Sequence, residues 1–343
     1  MNNHVANLKI GHHSGNGHFG DVHAAVDQVH GDVAVKIISQ KYDQSDAEWD
    51  AAKAEFLREA QHLAAAEHPN IVPVYHLGES PDGKSIRYCM KLCAGGSLQS
   101  RYEAGPFSLS DVRKVGTEVL LGLGNLHARG MIHRDIKPGN ILIDENGVAR
   151  LGDFGLVTDE LLHGYAMGAG YSDHLAFEYW KHGITSPKSD IWALGMTLYR
   201  LLHGHEWYSE SELPRAVIAD GGFRDKLKWL PHIPQRWRRT IRAMMHDDTE
   251  LRCQNVAQVQ AAFAGLPTEP DWECSVGRSQ VRWRRPKGGR IVRVEWNRNS
   301  RRRHDWRAWS EPIGTGRTRH LGGSNGLVGS QVAMKALEAF FRL

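Results

Sequence analysis

The chain has 343 residues, of which 41% are hydrophobic and 24% are charged. This composition is normal for a folded globular protein and excludes a disordered chain, and the length allows one large domain or two ordinary ones. The net charge of +4 is unevenly spread, because residues 275–343 hold 16 Lys and Arg against 4 Asp and Glu, and residues 1–274 hold 27 against 35. An acidic body of −8 and a basic tail of +12 predict two functional parts, the second suited to a polyanion.

Membrane and secreted classes are excluded next. The most apolar run, residues 193–202, is far shorter than the roughly 20 residues that a membrane span needs. The first ten residues are polar and lack the core of a signal peptide. We therefore expect a cytoplasmic protein with no membrane partner. Its four cysteines follow no zinc-binding spacing or disulfide framework and are expected to be buried thiols: Cys89, Cys93, Cys253 and Cys274.

The amino-terminal part indicates strands, one helix and further strands. Apolar runs at residues 22–26 and 33–38 follow a Gly-rich turn, and two more lie at 71–75 and 86–92. Between them, residues 46–67 have apolar residues at helical spacing. The residues at this spacing are Phe56, Leu57, Ala60, Leu63 and Ala64.

The order of elements predicts the fold class. Pro69 ends the first helix, because proline disfavours helical backbone in the residue before it. From Ser110 to about Gly265 the pattern is mainly helical. Strands followed by helices predict an α+β chain with a small sheet-rich lobe and a larger helical lobe.

A glycine-rich segment, GNGHFGDV at residues 15–22, is the first motif. G-x-G-x-x-G binds dinucleotides where a helix follows it, but here no helix begins after Gly20. Two flanking strands favour a hairpin whose backbone N–H groups approach phosphates without a Cβ in the way. An ordinary Gly-rich hairpin is the alternative that the motif alone leaves open.

A lysine ends the apolar strand that follows. Lys36 comes directly after Val33, Ala34 and Val35, and burial of its charge is costly unless it is paired. The next helix offers Glu59 as its partner, and Glu55, one turn earlier, is the competing candidate. A lysine held by a carboxylate and aimed at phosphates is a known device for phosphoryl transfer.

The strongest motif is HRDIKPGN at residues 133–140, followed by DFG at residues 153–155. Together with the glycine-rich segment and Lys36, these motifs resemble the Ser/Thr protein kinase family in order and spacing, over residues 7–265. Residues 56–60 (FLREA) and 68–75 (HPNIVPVY) resemble the corresponding segments of bacterial members of that family.

Further landmarks of the family follow in the chain. Ala176-Phe177-Glu178 stands where the family has Ala-Pro-Glu, and residues 189–195 match the helix that anchors the larger lobe. Arg252 stands where the family pairs an arginine with the residue at the Glu178 position. The resemblance implies the bilobal protein-kinase fold, with a β-rich amino-terminal lobe and a helical carboxy-terminal lobe.

The resemblance also implies a reaction and a catalytic group. ATP and Mg²⁺ would be the cofactors, and a protein hydroxyl would be the substrate. Asp135 would accept the hydroxyl proton, and Lys137 would contact the transferred phosphate, as a lysine does there in Ser/Thr-specific members. Lys36 would hold the α- and β-phosphates, with Glu59 orienting it.

The remaining implied positions bind metal and nucleotide. Asn140 and Asp153 would hold Mg²⁺, a hard cation that takes oxygen ligands. Glycines would contact phosphates, apolar residues would enclose adenine, and the segment around Cys93 would offer backbone hydrogen bonds. The implied ATP-binding residues are Gly15, Gly17, Phe19, Gly20, Val22, Ala34, Lys36, Met90, Cys93 and Leu142. Plain core packing is the alternative for Met90.

The activation segment that the resemblance implies, residues 153–178, departs from the family pattern. Tyr171 stands where the family has a threonine, which leaves peptide selection open. Arg134 precedes Asp135, and kinases with that arginine are often switched by a phosphate that pairs with it. Thr158 and then Ser172 are the candidate phosphorylation sites, the alternative being that neither is modified.

Five groups decide between an active kinase and a nucleotide-binding scaffold. All are present: Lys36, Glu59, Asp135, Asn140 and Asp153. Loss of one would cost about 10³-fold in rate. An active enzyme is therefore the main prediction, and a pseudokinase is the alternative.

The basic tail lies outside the kinase resemblance. Residues 280–285 and 291–296 alternate apolar and charged side chains around a turn at 286–289, which predicts a hairpin. Residues 306–309 are a candidate third strand, and 332–341 have helical spacing. The helix is predicted to bury Val332, Ala336, Leu337, Phe340 and Phe341.

Two functions compete for this tail. Arginine clusters and tryptophans could bind nucleic acid, through phosphates and base stacking, and so regulate the kinase. Alternatively, the tryptophans are core and the arginines pair with the acidic kinase body or an acidic protein partner. The second is favoured, because alternation already accounts for Trp283 and Trp296 as buried residues.

The prediction for the whole chain divides it into three parts. Residues 1–266 form a kinase domain, with lobes at about 1–93 and 94–266. Residues 267–274 are a linker, and residues 275–343 are a basic regulatory or docking module. Signalling, toxin and phage-defence roles of a bacterial Ser/Thr kinase, its substrate and its oligomeric state stay open.

Overall fold

The structure is a computed structural model that describes residues 8–17, 20–153, 166–167, 172–217, 221–300 and 302–342. Backbone alone is described at residues 14–17, 20, 55, 58–65, 166–167 and 172. The chain divides into two compact units. The first unit comprises Met1–Leu98 and Glu118–Gly170, and the second comprises Gln99–Thr117 and Tyr171–Leu343.

An antiparallel sheet forms the amino-terminal part of the first unit. Its strands are β1 (Lys9–Gly17), β2 (Gly20–Asp27), β3 (Gly31–Ser39), β4 (Val74–Glu79) and β5 (Ser85–Lys91). Their order in the sheet is β1-β2-β3-β5-β4, so β3 is central. The strand predicted at residues 71–75 begins only at Val74, because Ile71 makes an isolated bridge to Leu151 instead.

The two faces of this sheet carry different residues, because successive side chains of a strand point to opposite sides. Ala34 and Lys36 share one face with Met90, which lies opposite Ala34 in the register. Val33 and Val35 share the other with Cys89, which lies opposite Val35. We call the first the Lys36 face and the second the opposite face.

Helix α1 (Asp46–Ala65) follows β3. Its Trp49 is buried with Ile38, Ile86 and Tyr88, and Phe56 packs against that cluster. Leu57 is 50% exposed, because the buried stripe of the helix passes through its neighbour Phe56.

The rest of the first unit, Glu118–Gly170, comes later in the chain. It contains a 3₁₀ turn (Pro138–Asn140), β6 (Ile141–Ile143), β7 (Ala149–Leu151) and β8 (Ala166–Met167). Strands β6 and β7 pair antiparallel. Ile132 and Ile136 are fully buried and anchor the segment that leads into the turn.

The second unit is helical up to residue 264, and α3 contributes to both units. Its elements are α2 (Leu98–Ala104), α3 (Leu109–Ala128), α4 (Phe177–His182), β9 (Ile184–Thr185), α5 (Pro187–Tyr208), α6 (Pro214–Val217), α7 (Gln235–Met244) and α8 (Val256–Ala264). Helix α5 is buried along most of its length. It begins at Pro187, and the backbone N–H of the preceding Ser186 donates to Oγ of Ser189 at 3.0 Å.

A second antiparallel sheet lies in the carboxy-terminal part of the same unit. It consists of β10 (Glu273–Val276), β11 (Gln280–Lys287), β12 (Arg290–Arg298), β13 (His304–Pro312) and β14 (Arg319–Gly323), in sequential order, with α9 (Ser330–Phe341) after it. We call residues 273–342 the carboxy-terminal module. Gly288 and Gly289 both have positive φ, as the two-residue turn between β11 and β12 requires. The sheet has two strands more than the sequence indicated, β10 and β14.

One face of this second sheet is buried. It carries Val281, Trp283, Val294 and Trp296, as the alternation indicated. In α9 the buried residues are Ala333, Leu337 and Phe341, four positions apart. The inward position predicted for Val332 is wrong, since it is 58% exposed and the buried stripe begins one residue later.

The buried face packs on helices of its own unit. Trp283 donates its Nε1 hydrogen to Nδ1 of His232 at 2.9 Å. The rings of Trp296 and Trp207 lie 6.2 Å apart. Burial lowers the pKa of His232 to about 3, so this imidazole is neutral and can accept the hydrogen bond.

Two ion pairs at the rim of that contact also join the module to the helical part of its unit. Arg238 of α7 donates to Glu338 of α9 at 2.6 Å, and Arg298 of β12 donates to Glu210 at 2.7 Å. Arg298 also lies over the ring of Trp207, 5.4 Å from its centroid. Tryptophans and arginines of the basic tail are therefore used in packing against the helical part of the second unit.

No helix among the described residues combines the length and the hydropathy that crossing a bilayer demands. All four cysteines are free thiols, and three are buried as predicted. Cys274 is half-buried.

Candidate active site

The buried lysine of the central strand contacts an acid far along the chain. Lys36 is 6% exposed, and its Nζ forms an ion pair with Oδ1 of Asp153. The strand places it there because β3 has paired strands on both sides, which fixes the direction of its side chain. Asp153 has a φ of 56°, in the left-handed region, where its carboxylate leaves the line of β7.

Opposing effects act on the Asp153 carboxylate. Burial disfavours its charged form, but the Lys36 ammonium outweighs burial and holds the pKa of Asp153 below its ordinary value. The carboxylate is therefore ionised at neutral pH, as a ligand for a cation must be.

The catalytic-loop motif forms a cluster around Asp135, which is 2% exposed. Lys137 Nζ donates to Asp135 Oδ2 at 2.7 Å. Asn140 Nδ2 donates to the same oxygen and to the main-chain oxygen of Asp135, both at 2.8 Å. The loop thus fixes one carboxylate with two side chains that come two and five residues later.

The backbone connects this cluster to Asp153. The N–H of Gly152, the residue before Asp153, donates to the main-chain oxygen of Asn140 at 2.9 Å. Asn140 turns its amide nitrogen to Asp135, which leaves the amide oxygen as a donor atom for a cation. Asp153 keeps a second carboxylate oxygen outside its ion pair with Lys36. Two oxygen donors of this kind fit Mg²⁺, which takes a few protein oxygens besides phosphates and water.

The apolar residues expected around adenine lie near Lys36. Val22 is directly opposite Lys36 in the β2–β3 register, and Ala34 is directly opposite Met90. These side chains therefore share the Lys36 face. Cys93, just after β5, is buried, and Leu142 of β6 is half-buried.

The glycine-rich segment forms a hairpin, as predicted. Gly17 pairs with Gly20, and Gly15 pairs with Val22, between β1 and β2. Phe19, which lies between these strands, is outside the described residues.

Other predicted positions are also outside the description. Only the backbone is described at Glu59 and its competitor Glu55, so the carboxylate expected beside Lys36 is not placed. Thr158 lies outside the described residues. Ser172 begins a short 3₁₀ turn, and its side chain is not described.

The landmark acid of the second unit has the partner that the sequence indicated. Arg252 holds Glu178 through two hydrogen bonds of 2.7 Å, one to each carboxylate oxygen. Ser189 adds a third at 2.6 Å. Burial disfavours the charged form of Glu178, but these donors prevail and lower its pKa.

Two contacts at the site were not foreseen. The pairing of Lys36 with Asp153 spans 117 residues, and no local pattern signals it. His133 is fully buried, and its Nδ1 accepts the N–H of Asp135 at 3.3 Å. Its place at the head of the HRD motif was the available signal for that role.

The sheet with its buried lysine, the loop cluster and the Glu178–Arg252 pair define a protein of the kinase class. Residues 8–263 match the family described as protein kinase domain, and the chain belongs to that family. The predicted α+β kinase fold is thereby confirmed.

Curated relatives include bacterial Ser/Thr kinases. The chain is 34% identical over 197 residues to the DNA damage-responsive serine/threonine-protein kinase RqkA of Deinococcus radiodurans, covering 55% of this chain and 29% of that protein. It is 33% identical over 212 residues to PrkC of Bacillus subtilis, covering 60% and 32%. It is 34% identical over 206 residues to PknL of Mycobacterium tuberculosis, covering 55% and 50%. The chain thus spans half or less of these relatives.

Proposed function

We propose that this chain transfers the γ-phosphate of ATP to a serine or threonine hydroxyl of a protein. The observation that carries the proposal is the buried Asp135 carboxylate with Lys137 and Asn140 on one of its oxygens. Buried, mutually oriented charges are costly, and they are typical of sites that perform chemistry.

The reaction asks for positioning and charge neutralisation, because phosphoryl transfer passes through a loose transition state. Asp135 accepts the proton of the attacking hydroxyl, for which its carboxylate is already oriented by two donors. Lys137 lies 2.7 Å from that carboxylate, so its ammonium can also reach the phosphoryl group transferred to the same hydroxyl.

Asn140 and Asp153 would hold Mg²⁺, which neutralises phosphate charge when bound. Lys36 would hold the α- and β-phosphates beside Asp153, with Glu59 as its expected orienting partner. The backbone at Gly15, Gly17 and Gly20 would cover the phosphates. Val22, Ala34, Met90, Cys93 and Leu142 would enclose adenine, with Phe19 at the tip of the hairpin.

Regulation by phosphorylation belongs to the same proposal. Arg134, directly before Asp135, has a φ of 66°, in the left-handed region. A phosphate on Thr158 or Ser172 would supply it with a doubly charged partner. Mass spectrometry of the active protein, compared with Asp135→Asn, tests whether either residue is modified.

The carboxy-terminal module is proposed as a docking and regulatory element. What supports this is the use of its tryptophans in packing: Trp283 and Trp296 are each 2% exposed. On the other face, Arg284, Arg293 and Arg307 pair with Glu273, Glu311 and Glu295 of the neighbouring strands. Little of this surface offers the free aromatic rings that single-stranded nucleic acid stacks on.

A transfer assay with radiolabelled ATP and Mg²⁺ tests the enzymatic proposal. Wild type should label itself or a generic protein acceptor, and Asp135→Asn should not. Glu145→Gln is the matched control, since Glu145 is a nearby carboxylate that pairs with Lys91 on the surface. ATP binding without transfer by wild type would replace the enzyme with a nucleotide-binding scaffold.

Adding duplex RNA or DNA at low salt tests the alternative for the module. Docking predicts that nucleic acid leaves the rate unchanged. A several-fold increase that disappears with rising salt would favour regulation by nucleic acid. Phosphoproteomics of a bacterial host, wild type against Asp135→Asn, would identify the substrates and separate a signalling role from a toxin or defence role.

A further inference from the structure

The opposite face of the first sheet carries three side chains with metal-ligating atoms. Asp27 ends β2, His76 lies on β4 and Cys89 lies on β5. One ligand atom from each lies within 4.8 Å of the other two. Oxygen, nitrogen and sulfur donors together form a set that zinc accepts.

A bulge in β4 brings the histidine to this face. Val74 lies opposite Met90, but His76 lies opposite Cys89, so β4 has one more residue than β5 between these pairs. The extra residue is Tyr75. In a regular ladder with no bulge, Tyr75 would lie opposite Cys89, the position that His76 takes here. Bulges re-aim side chains in this way and are frequent beside functional sites.

The carboxylate of Asp27 is held in one orientation by its own turn. Its Oδ1 accepts the N–H groups of Val29 and His30 at 2.9 and 2.8 Å. Its Oδ2 is thereby turned to His76, 3.1 Å from Nε2. Hydrogen bonds of this kind on a ligating carboxylate are a usual support of metal sites.

The surroundings suit a site that is closed except on one side. Asp27 is 2% exposed and Cys89 is fully buried. The side chain of His76 is 35% exposed, so a cation and a water can approach past it. A carboxylate and a thiolate would together neutralise a divalent cation, which removes the cost of burying any of these charges alone.

We propose that Asp27, His76 and Cys89 bind a zinc-type divalent cation, with water as the fourth ligand. On binding, the Cys89 thiol releases its proton to solvent, His76 binds through a neutral ring nitrogen, and Asp27 binds as a carboxylate. No electron transfer is involved. The cation would tie the β2–β3 turn to β4 and β5.

This site is independent of the proposed kinase reaction. Cys89 points to the face opposite Lys36, because it lies opposite Val35 in the β3–β5 register. Its sulfur donor disfavours Mg²⁺, which prefers oxygen. Loss of kinase activity would therefore leave zinc binding intact, and the two proposals can fail separately.

Cobalt(II) is the probe, because a thiolate ligand gives it a charge-transfer band in the near ultraviolet and a tetrahedral site gives strong visible bands. We expect both in the reduced full chain, and their loss on adding one equivalent of Zn²⁺ but not excess Mg²⁺. Cys89→Ser should abolish the charge-transfer band. Cys253→Ser, which removes a buried thiol of the second unit, should retain it.

His76→Asn gives a second measure on a partly exposed residue, where folding is not at risk. The affinity of this variant for zinc, measured by competition with a chromophoric chelator, should be at least about 100-fold below that of wild type. A fall of this size exceeds what the loss of a residue that only hydrogen-bonds to a metal ligand usually costs. His30→Asn is the control, since this exposed ring stacks on Tyr75 outside the triad. The proposal is overturned if folded wild type gives no cobalt–thiolate band, or if the band survives Cys89→Ser, or if His76→Asn and His30→Asn bind zinc alike.

Discussion

In the catalytic loop, Asp135 is almost fully buried, and Lys137 and Asn140 converge on one of its oxygens. On the outward face of the carboxy-terminal sheet, Arg284 and Arg307 also have acidic partners, but their side chains are 55% and 65% exposed. Water screens the second kind of pair, which contributes little to stability. The first kind is expensive to assemble, and this difference indicates chemistry in the loop and a structural role in the module.

The largest expected effect is on transfer at the loop. Asp135→Asn keeps the size of the side chain but removes the charge that we propose accepts the hydroxyl proton. We expect the transfer rate to fall by about 10³-fold, measured by single-turnover labelling. The melting temperature should stay close to that of wild type. A variant with more than a tenth of the wild-type rate would contradict the role given to Asp135.

On the buried side of the module, the expected effect is on stability. Trp296→Ala empties a fully packed position beside Trp207, and we expect a loss of about 3–5 kcal/mol in the free energy of unfolding. Urea unfolding followed by circular dichroism measures it. Trp309→Ala, on the half-buried outward face, is the matched control and should cost clearly less. Equal losses would mean that the module does not depend on its contact with Trp207.

An intermediate effect is expected at the rim of that contact. Glu338→Gln leaves the nine-tenths buried guanidinium of Arg238 without its anionic partner, and we expect a loss of about 1–3 kcal/mol. Glu273→Gln is the comparison, because its pair with Arg284 is more than half exposed and should be worth about 0–1 kcal/mol. Urea unfolding of both variants decides whether burial distinguishes these two ion pairs.

A pH-dependent effect is expected at Glu178. Its pKa lies below the ordinary value of 4.5, so the folded state favours the charged form. The stabilisation is complete above pH 4.5 and is lost as the pH falls through the folded-state pKa. The stability difference between wild type and Glu178→Gln should therefore shrink in acid. A difference that stays constant from pH 7 to pH 3 would show that the charge of Glu178 is not what stabilises it.

The candidate site residues that the structure brings together are recognisable in the sequence where the information is local. Asp135, Lys137 and Asn140 lie within six residues, so a motif and the geometry of one loop place them together. The contact of Lys36 with Asp153, by contrast, joins residues 117 positions apart and was not predicted. Glu59 was the expected carboxylate, and the contact described at Lys36 is with Asp153, which depends on how β7 approaches β3. No spacing along the chain encodes such a contact.

The fold of the module was predicted in part for the same reason. Alternation over β11 and β12 indicated Trp283 and Trp296 as buried, because the strand period is two. Strands β10 and β14 were missed, since they are short, and β14 ends in two glycines, which are rare in strands. In α9, Leu337 and Phe341 are buried as predicted, but Val332 was chosen in place of Ala333, because both are apolar and only packing separates them.

The strand order of the carboxy-terminal sheet has a kinetic consequence. Each of its strands pairs with the next one along the chain, so every hairpin closes over a short loop at low entropic cost. The Lys36–Asp153 pair instead closes a loop of 117 residues. Because folding rates fall as contacts become less local, we expect the carboxy-terminal sheet to form its strand pairs early and the Lys36–Asp153 ion pair to close late. A denatured chain that refolds would then hold a finished module while the Lys36–Asp153 contact is still open.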